Sequence, residues 1–427
     1  MSDVKPIQES ERNLGGFDFF LLWAGAAVSL AEIWAGGILA AMGYMTGVAV
    51  ILLGHILGNT PLALGGIIGS RWGIPTMVGT RIAFGNNGSY LPALLNILQL
   101  IGWTAVMIWI GGQTAAMFTK GSSLYTPVFW IILLGVVTTM WAIIGNRFWK
   151  WLHRIAVTAL IILCVVMTYI VFGKYGLSSL LSIKSSNELP FMVGLDYVII
   201  MPISWLPLVC DYSRYAKGNR SSFWGTWIGY FILSSWMYLI GLSTALATTS
   251  STPETMVLEL MISFGLAFPA LIIVLFSTFT TTFLDIYSAS ISALNIHSGI
   301  GEKKGIIIAG GLGTLIALFF SPDAYTHFLE IIGFIFCPLF GIVLADYFLL
   351  RRQVVLTDNL FTKGVYWYTE GINWIAMVCW AIGAALFGLG KSIEIGGALP
   401  SLIIAGVTYL IAMNIFKKRP LHTGQPE

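Results

Sequence analysis

The chain has 427 residues, 57% hydrophobic, 14% aromatic and only 10% charged, with a mean hydropathy of +0.85. Soluble domains carry about 25% charged residues, so too few charges remain here to cover a water-soluble body of this mass. A soluble enzyme, a disordered chain and a nucleic-acid binder are excluded in favour of a polytopic membrane protein; the formal net charge of +3 matters less than its placement.

The opening stretch, MSDVKPIQESERNLGG, is polar and lacks an apolar core ending in small residues, so no cleaved signal peptide is expected. From Phe17 onward, apolar runs long enough to cross a bilayer alternate with polar or Gly/Pro-rich breaks. Twelve spans are predicted, at 17–42, 45–69, 89–117, 126–145, 153–173, 193–210, 222–247, 264–292, 305–320, 328–350, 372–390 and 396–416. Basic residues concentrate on the cytoplasmic side of membrane proteins. With the N-terminus cytoplasmic, 18 of the 22 Lys and Arg fall in inner segments. Only Lys120, Lys174, Lys184 and Lys391 fall outside. The expectation is one membrane domain over 1–427, in the cell's inner (plasma) membrane, with both termini cytoplasmic.

Polar groups inside spans are costly and each is a functional hypothesis. In span 1, AGAAVSLAEIWAGG places Glu32 among Gly25, Ser29, Gly36 and Gly37, small residues that permit close packing and a broken helix. Glu32 either contacts a substrate or ion, or is paired with a Trp, a Ser or the backbone. In span 3, Asn96, Gln99 and Trp103 share a helical face. An amide beside an indole can hydrogen-bond and stack a planar heterocycle, although tryptophans in membrane proteins commonly anchor at interfaces or pack. In span 6, Pro202 and Pro207 bracket Ser204 and Trp205, and each proline removes a helix donor. In span 8, Thr278, Thr281, Thr282, Asp285 and Ser288 recur at spacings of three and four. Such a stripe suits a hard cation, which takes several oxygen ligands; alternatively the threonines bond back to their own helix and Asp285 pairs with a neighbour. Breaks in spans 1 and 6 have the offset of a 5+5 inverted repeat, in which broken helices mark the midplane site.

Chemistry of other kinds is poorly supported. Cys164, Cys210, Cys337 and Cys379 lie in apolar runs without CxxC spacing and read as buried hydrophobes. The five histidines lack metal-ligand spacing, and no phosphate-binding GxxxxGK[ST] loop occurs. The chain is therefore not expected to be an enzyme.

Three separated stretches carry a family resemblance. They are GGIIGSRWGIPTMVGTRIAFGNNGSYLPALLN after span 2, CDYSRYAKG after span 6 and PLFGIVLADYFLLRR closing span 10. Together they resemble the nucleobase:cation symporter-1 family of cytosine, purine, uracil and hydantoin permeases, over roughly residues 14 to 415. The resemblance implies an all-α integral membrane protein with twelve transmembrane helices. Its LeuT-like core would have a first five-helix repeat at 17–173, an inverted second repeat at 193–350, and two additional helices at 372–416. It also implies alternating access and uptake of a planar nitrogen heterocycle with Na+ or H+, and no other cofactor. Carried over, the sodium site takes the carbonyls of Gly25 and Val28 and ligands among Thr280, Thr281 and Thr282. Trp103 matches the aromatic that stacks the substrate, and Ser204 a position that hydrogen-bonds the base. Gln99 matches the span 3 glutamine after a one-residue shift.

Three positions depart from the family pattern. The position where relatives place a second stacking aromatic falls near Pro202 in this chain, so Trp205 is expected to substitute by a different geometry. Asp285 replaces an amide that reads the heterocycle, and Glu32 stands where cytosine permeases have a small polar residue. These changes resemble the bacterial branch assigned to hydroxymethylpyrimidine, a thiamine precursor (the CytX-type permeases). An aminopyrimidine offers an NH2 donor beside a ring-nitrogen acceptor, which a carboxyl matches in two points. Glu32, Gln99, Trp103, Ser204, Trp205 and Asp285 are thus the expected substrate residues, although Asp285 could complete the sodium site instead. The alternatives are a cytosine or purine permease, or a passive channel. The expected partners are the small-molecule heterocycle and the lipid bilayer, with no nucleic acid, and the expected oligomeric state is a monomer.

Overall fold

A helix occupies each predicted segment in the computed structural model, which describes residues 4–121, 126–144, 149–183, 186, 188–248 and 267–416. Among the described residues there is no strand, only two isolated bridges, Leu14–Ala216 and Thr369–Ile372. The first half contains α1 (Gly16–Ala27), α2 (Leu30–Ile38), α3 (Tyr44–Trp72), α4 (Tyr90–Phe118), α5 (Pro127–Ile144) and α6 (Trp149–Tyr175). The second half contains α7 (Phe191–Trp205), α8 (Val209–Ser213), α9 (Asn219–Thr248), α10 (Ala267–Ile296), α11 (Glu302–Ala317) and α12 (Ala324–Leu344). Two further helices follow, α13 (Trp374–Ser392) and α14 (Ala398–Phe416). By length and apolarity, 8 helices among the described residues can cross a membrane, or 9 when the bent pair α1–α2 is taken as one span.

Two spans are broken. The pair α1–α2 bends by 61° at Val28 and Ser29, where the Ser29 side chain caps α2 by accepting from the Glu32 N–H. Span 6 breaks between α7 and α8 at a 3-10 turn over Leu206–Leu208. Here the structure refines the expectation that both prolines mark the break: α7 continues through Pro202. The physical reason is packing, because α3 offers Gly58, where a Cβ would lie 2.5 Å from the Pro202 ring. The interruption falls instead at Pro207, which has no N–H to continue the ladder, and Leu206 tightens to a bond with the Ile203 carbonyl.

Backbones meet closely where glycines align. A Cβ at Gly241 of α9 would lie 1.9 Å from the Ile33 carbonyl oxygen, and one at Gly36 of α2 would lie 2.2 Å from that of Tyr238. This reciprocal small-residue contact fixes α2 against α9 at a spacing no larger residue allows.

Several of the described segments expected on the inner side lie together, whereas those around Arg147 and at 417–419 fall outside the described residues. Ile7 N–H donates to the Gly73 carbonyl, Lys217 N–H to Leu14, and Arg81 to both Asn295 and the Leu360 carbonyl. On the opposite face Glu330 accepts from Tyr197 and Lys391, while Asp196 accepts from the Gly397 and Ala398 N–H groups. All four cysteines are buried and free.

Candidate functional site

The break in span 1 exposes backbone oxygens. The Ser29 N–H turns to the Ala27 carbonyl at 2.9 Å instead of closing the helical ladder onto Gly25, so the Gly25 carbonyl loses its ladder donor. The last carbonyls of a helix carry the negative end of its dipole and attract cations. Helix α10 reaches the same point: Ser277 Oγ donates to the Val28 carbonyl at 2.9 Å. Beside it, the Thr280 hydroxyl is committed to its own helix, donating to Phe276 and Ser277. The hydroxyls of Thr281 and Thr282 are buried and have no hydrogen-bond partner among the described residues. One α10 hydroxyl thus meets the α1 terminus, with Thr281 one turn further along the same stripe, and oxygens of this kind suit a small hard cation. Among the described residues no cluster of His, Cys, Asp and Glu offers a transition-metal alternative.

Helices α4 and α10 run antiparallel, and two contacts fix their register. Asn96 donates to Ser292 Oγ at 2.8 Å, and a Cβ at Gly111 would meet Thr278 Oγ1 at 2.7 Å. Advancing along α4 while retreating along α10 puts Trp103 level with Asp285. Both are buried, at 7% and 1% exposure. Neither the Trp103 indole N–H nor either Asp285 oxygen has a partner among the described residues. One turn before Trp103, Gln99 Nε2 donates to the Ser204 carbonyl at 2.8 Å and to Asn96 at 3.1 Å. Its Oε1 is left without a partner. Buried polar atoms are almost always satisfied, and each orphan costs about 1–3 kcal/mol. Donor and acceptor groups without partners among the described residues, at adjacent levels of one helix pair, thus form a candidate site for polar ligand atoms.

Aromatic walls surround this level. The Trp103 ring meets Phe328 edge-on with centroids 5.2 Å apart and Tyr325 at 6.3 Å. Trp205 ends α7 and meets Trp23 of α1 edge-on at 6.0 Å. The Ser204 hydroxyl donates to the Met201 carbonyl at 2.6 Å, so its backbone carbonyl, not its hydroxyl, reaches Gln99.

Glu32 has a different setting. Its Oε1 accepts from Tyr230 and its Oε2 from Ser234 at 2.7 Å. Of the two readings open from the sequence, these contacts match the paired one, with partners on α9. Reasoning from sequence missed Tyr230, Ser234 and Ser277. Only Ser277 carried a signal, standing one helical turn before Thr281 on the same stripe.

Two broken spans beside an antiparallel helix pair, whose buried polar groups lack partners among the described residues, are the architecture of a broken-helix membrane transporter. The chain belongs to the nucleobase:cation symporter-1 family. The family described as "Permease for cytosine/purines, uracil, thiamine, allantoin" matches residues 6–412. Relatives include the hydantoin permease of Microbacterium maritypicum, 24% identical over 82% of this chain and 76% of that protein. The cytosine permease of Escherichia coli (strain K12) is 27% identical over 78% and 77%. The fold matches Mhp1, a nucleobase-cation-symport-1 family transporter solved in a closed conformation with bromovinylhydantoin bound. The TM-score is 0.87 at 22% identity, covering 98% of this chain and 96% of that one. A Na+-coupled sialic acid symporter shares the fold at a TM-score of 0.70 and 15% identity, covering 95% and 90%.

Proposed function

We propose that the protein imports a planar pyrimidine-type heterocycle by cation-coupled alternating access, with hydroxymethylpyrimidine as the substrate. The observation that carries this reading is the set of groups at adjacent levels without partners among the described residues: the Trp103 N–H, the Gln99 Oε1 and both Asp285 oxygens. In this reading Trp103 faces the heterocycle, with Trp205 on the far side. Gln99 accepts from the exocyclic NH2, and Asp285 forms the two-point contact with the amino group and ring nitrogen. Relatives named for hydantoin and cytosine support a ring of this size. Twelve spans in a 5+5 inverted repeat, with α13 and α14 outside it, provide the scaffold.

Sodium is the coupling ion in this proposal. The Gly25 and Val28 carbonyls and the Thr281 hydroxyl hold it, with Thr282 adjacent and the Thr280 hydroxyl retained by its helix. An ion bound there ties α10 to the break in span 1, so it biases the hinge on which access depends.

Proteoliposomes with imposed sodium or proton gradients test both parts. Labelled hydroxymethylpyrimidine should accumulate against its gradient, driven by sodium, and unlabelled cytosine or hypoxanthine should compete weakly. Strong competition by cytosine identifies a cytosine permease, the reading favoured by the Escherichia coli relative. Equilibration without accumulation identifies a passive channel.

A further inference from the structure

Glu32 and His55 lie in different spans, 2% and 0% exposed, and one hydroxyl joins them. Ser234 Oγ of α9 is 2.7 Å from Glu32 Oε2 and 2.5 Å from His55 Nε2. The other imidazole nitrogen, Nδ1, is 2.7 Å from the Ile51 carbonyl. A carbonyl only accepts, so Nδ1 carries a proton. Tyr230 donates to the remaining Glu32 oxygen.

Counting protons then leaves two arrangements. If Ser234 donates to Glu32, its oxygen faces Nε2, which must also be protonated; His55 is then an imidazolium beside a carboxylate. If Ser234 donates to a neutral His55, its oxygen faces Glu32 Oε2, which must carry the proton. With an ionised Glu32 and a neutral His55, one of the two short contacts would oppose lone pairs with no hydrogen between them. Both allowed arrangements hold one proton more than that state, and they interconvert by relay. The Glu32 O–H breaks as its proton passes to Ser234, and the original Ser234 proton forms the Nε2–H bond.

We infer that Glu32, Ser234 and His55 form a single proton-binding site, holding one shared proton, separate from the heterocycle and sodium sites. The titratable groups facing it are tyrosines. Besides Tyr230, Tyr238 of α9 meets the His55 ring edge-on at 5.0 Å, and Tyr325 of α12 donates to the Ala31 carbonyl beside Glu32. Tyr197 of α7 accepts at its carbonyl from Tyr238. Among the described residues neither Glu32 nor His55 forms a salt bridge, so the shared proton is what balances the carboxylate. The site ties the first turn of α2, just past the span 1 break, to α3 and α9. Gain or loss of the proton therefore alters what holds the hinge, whatever heterocycle is carried.

The test uses purified full-length protein. Infrared spectra read the C=O stretch of a protonated carboxyl, and nitrogen NMR reads the His55 imidazolium. The wild type should show one of these two signals, assigned by its loss in E32Q or in H55F. Replacing either partner should also remove the signal from the other, because Gln supplies its own donor and Phe frees Ser234 to serve a carboxylate. S234A, which keeps both ionisable groups, should make each insensitive to replacement of the other and serves as the folded control. A signal on one group that persists at full strength when its partner is replaced overturns the inference, as does the absence of both signals in the wild type. In proteoliposomes, labelled cytosine or hydroxymethylpyrimidine uptake should lose its pH dependence in E32Q. Coupled signals in a protein that transports neither probe would refute the proposed substrate and leave the proton site standing.

Discussion

Individual residues in the membrane announce themselves by their cost. Asp285, Gln99 and Trp103 were legible as candidate site residues because a carboxylate, an amide and an indole on apolar helices need a reason to be there. The structure leaves polar atoms of all three without partners. D285N keeps the shape but halves the acceptor capacity toward an aminopyrimidine. Hydrogen bonds to charged groups are worth about 1.5–3 kcal/mol, so substrate affinity should fall by about 10- to 100-fold with sodium activation unchanged. Equilibrium binding of labelled hydroxymethylpyrimidine measures this. T281A removes an orphan hydroxyl instead and should raise the sodium concentration needed for half-maximal uptake by about tenfold or more, with substrate affinity at saturating sodium retained. Loss of both affinities together would place Thr281 at the heterocycle. The setting of Glu32 was not legible, because Tyr230 and Ser234 stand 198 and 202 residues further along the chain.

At the scale of elements, hydropathy predicted where helices run, and each predicted segment contains a helix among its described residues. The break in span 1 was readable from its glycines and serine. The break in span 6 was located only to the interval between two prolines, since a proline ends a helix or is absorbed depending on its neighbours. Gly58 of the facing helix made Pro202 the absorbed one. The contact of α2 with α9 shows the same dependence, because nothing local in Gly36 or Gly241 says that they oppose each other's helix. A methyl group at Gly241 would enter the Ile33 carbonyl. G241A should therefore destabilise the fold by about 1–3 kcal/mol, seen as a lowered thermal unfolding midpoint in detergent, while alanine at Gly311, with open space around it, should not. Equal effects at the two sites would remove the close-packing account.

For the whole molecule, the distribution of Lys and Arg assigns each connection to a side, and hydrogen bonds link several of the described connections expected on the same side. Single-cysteine labelling checks the orientation with little background, since the native cysteines are buried. K391C should react with a membrane-impermeant maleimide from outside intact cells, and K303C only after permeabilisation. The reverse pattern would invert the topology.

Composition was enough to determine a membrane protein of many helices and the few polar residues that lipid would not tolerate without cause. These are properties of each segment against its solvent, and the bilayer tests every segment separately. Pairing across helices is a different quantity, set by which groups meet once the helices pack. Only the tertiary structure could level Trp103 with Asp285, bring Ser277 to Val28, and join Glu32 to His55 through the single hydroxyl of Ser234.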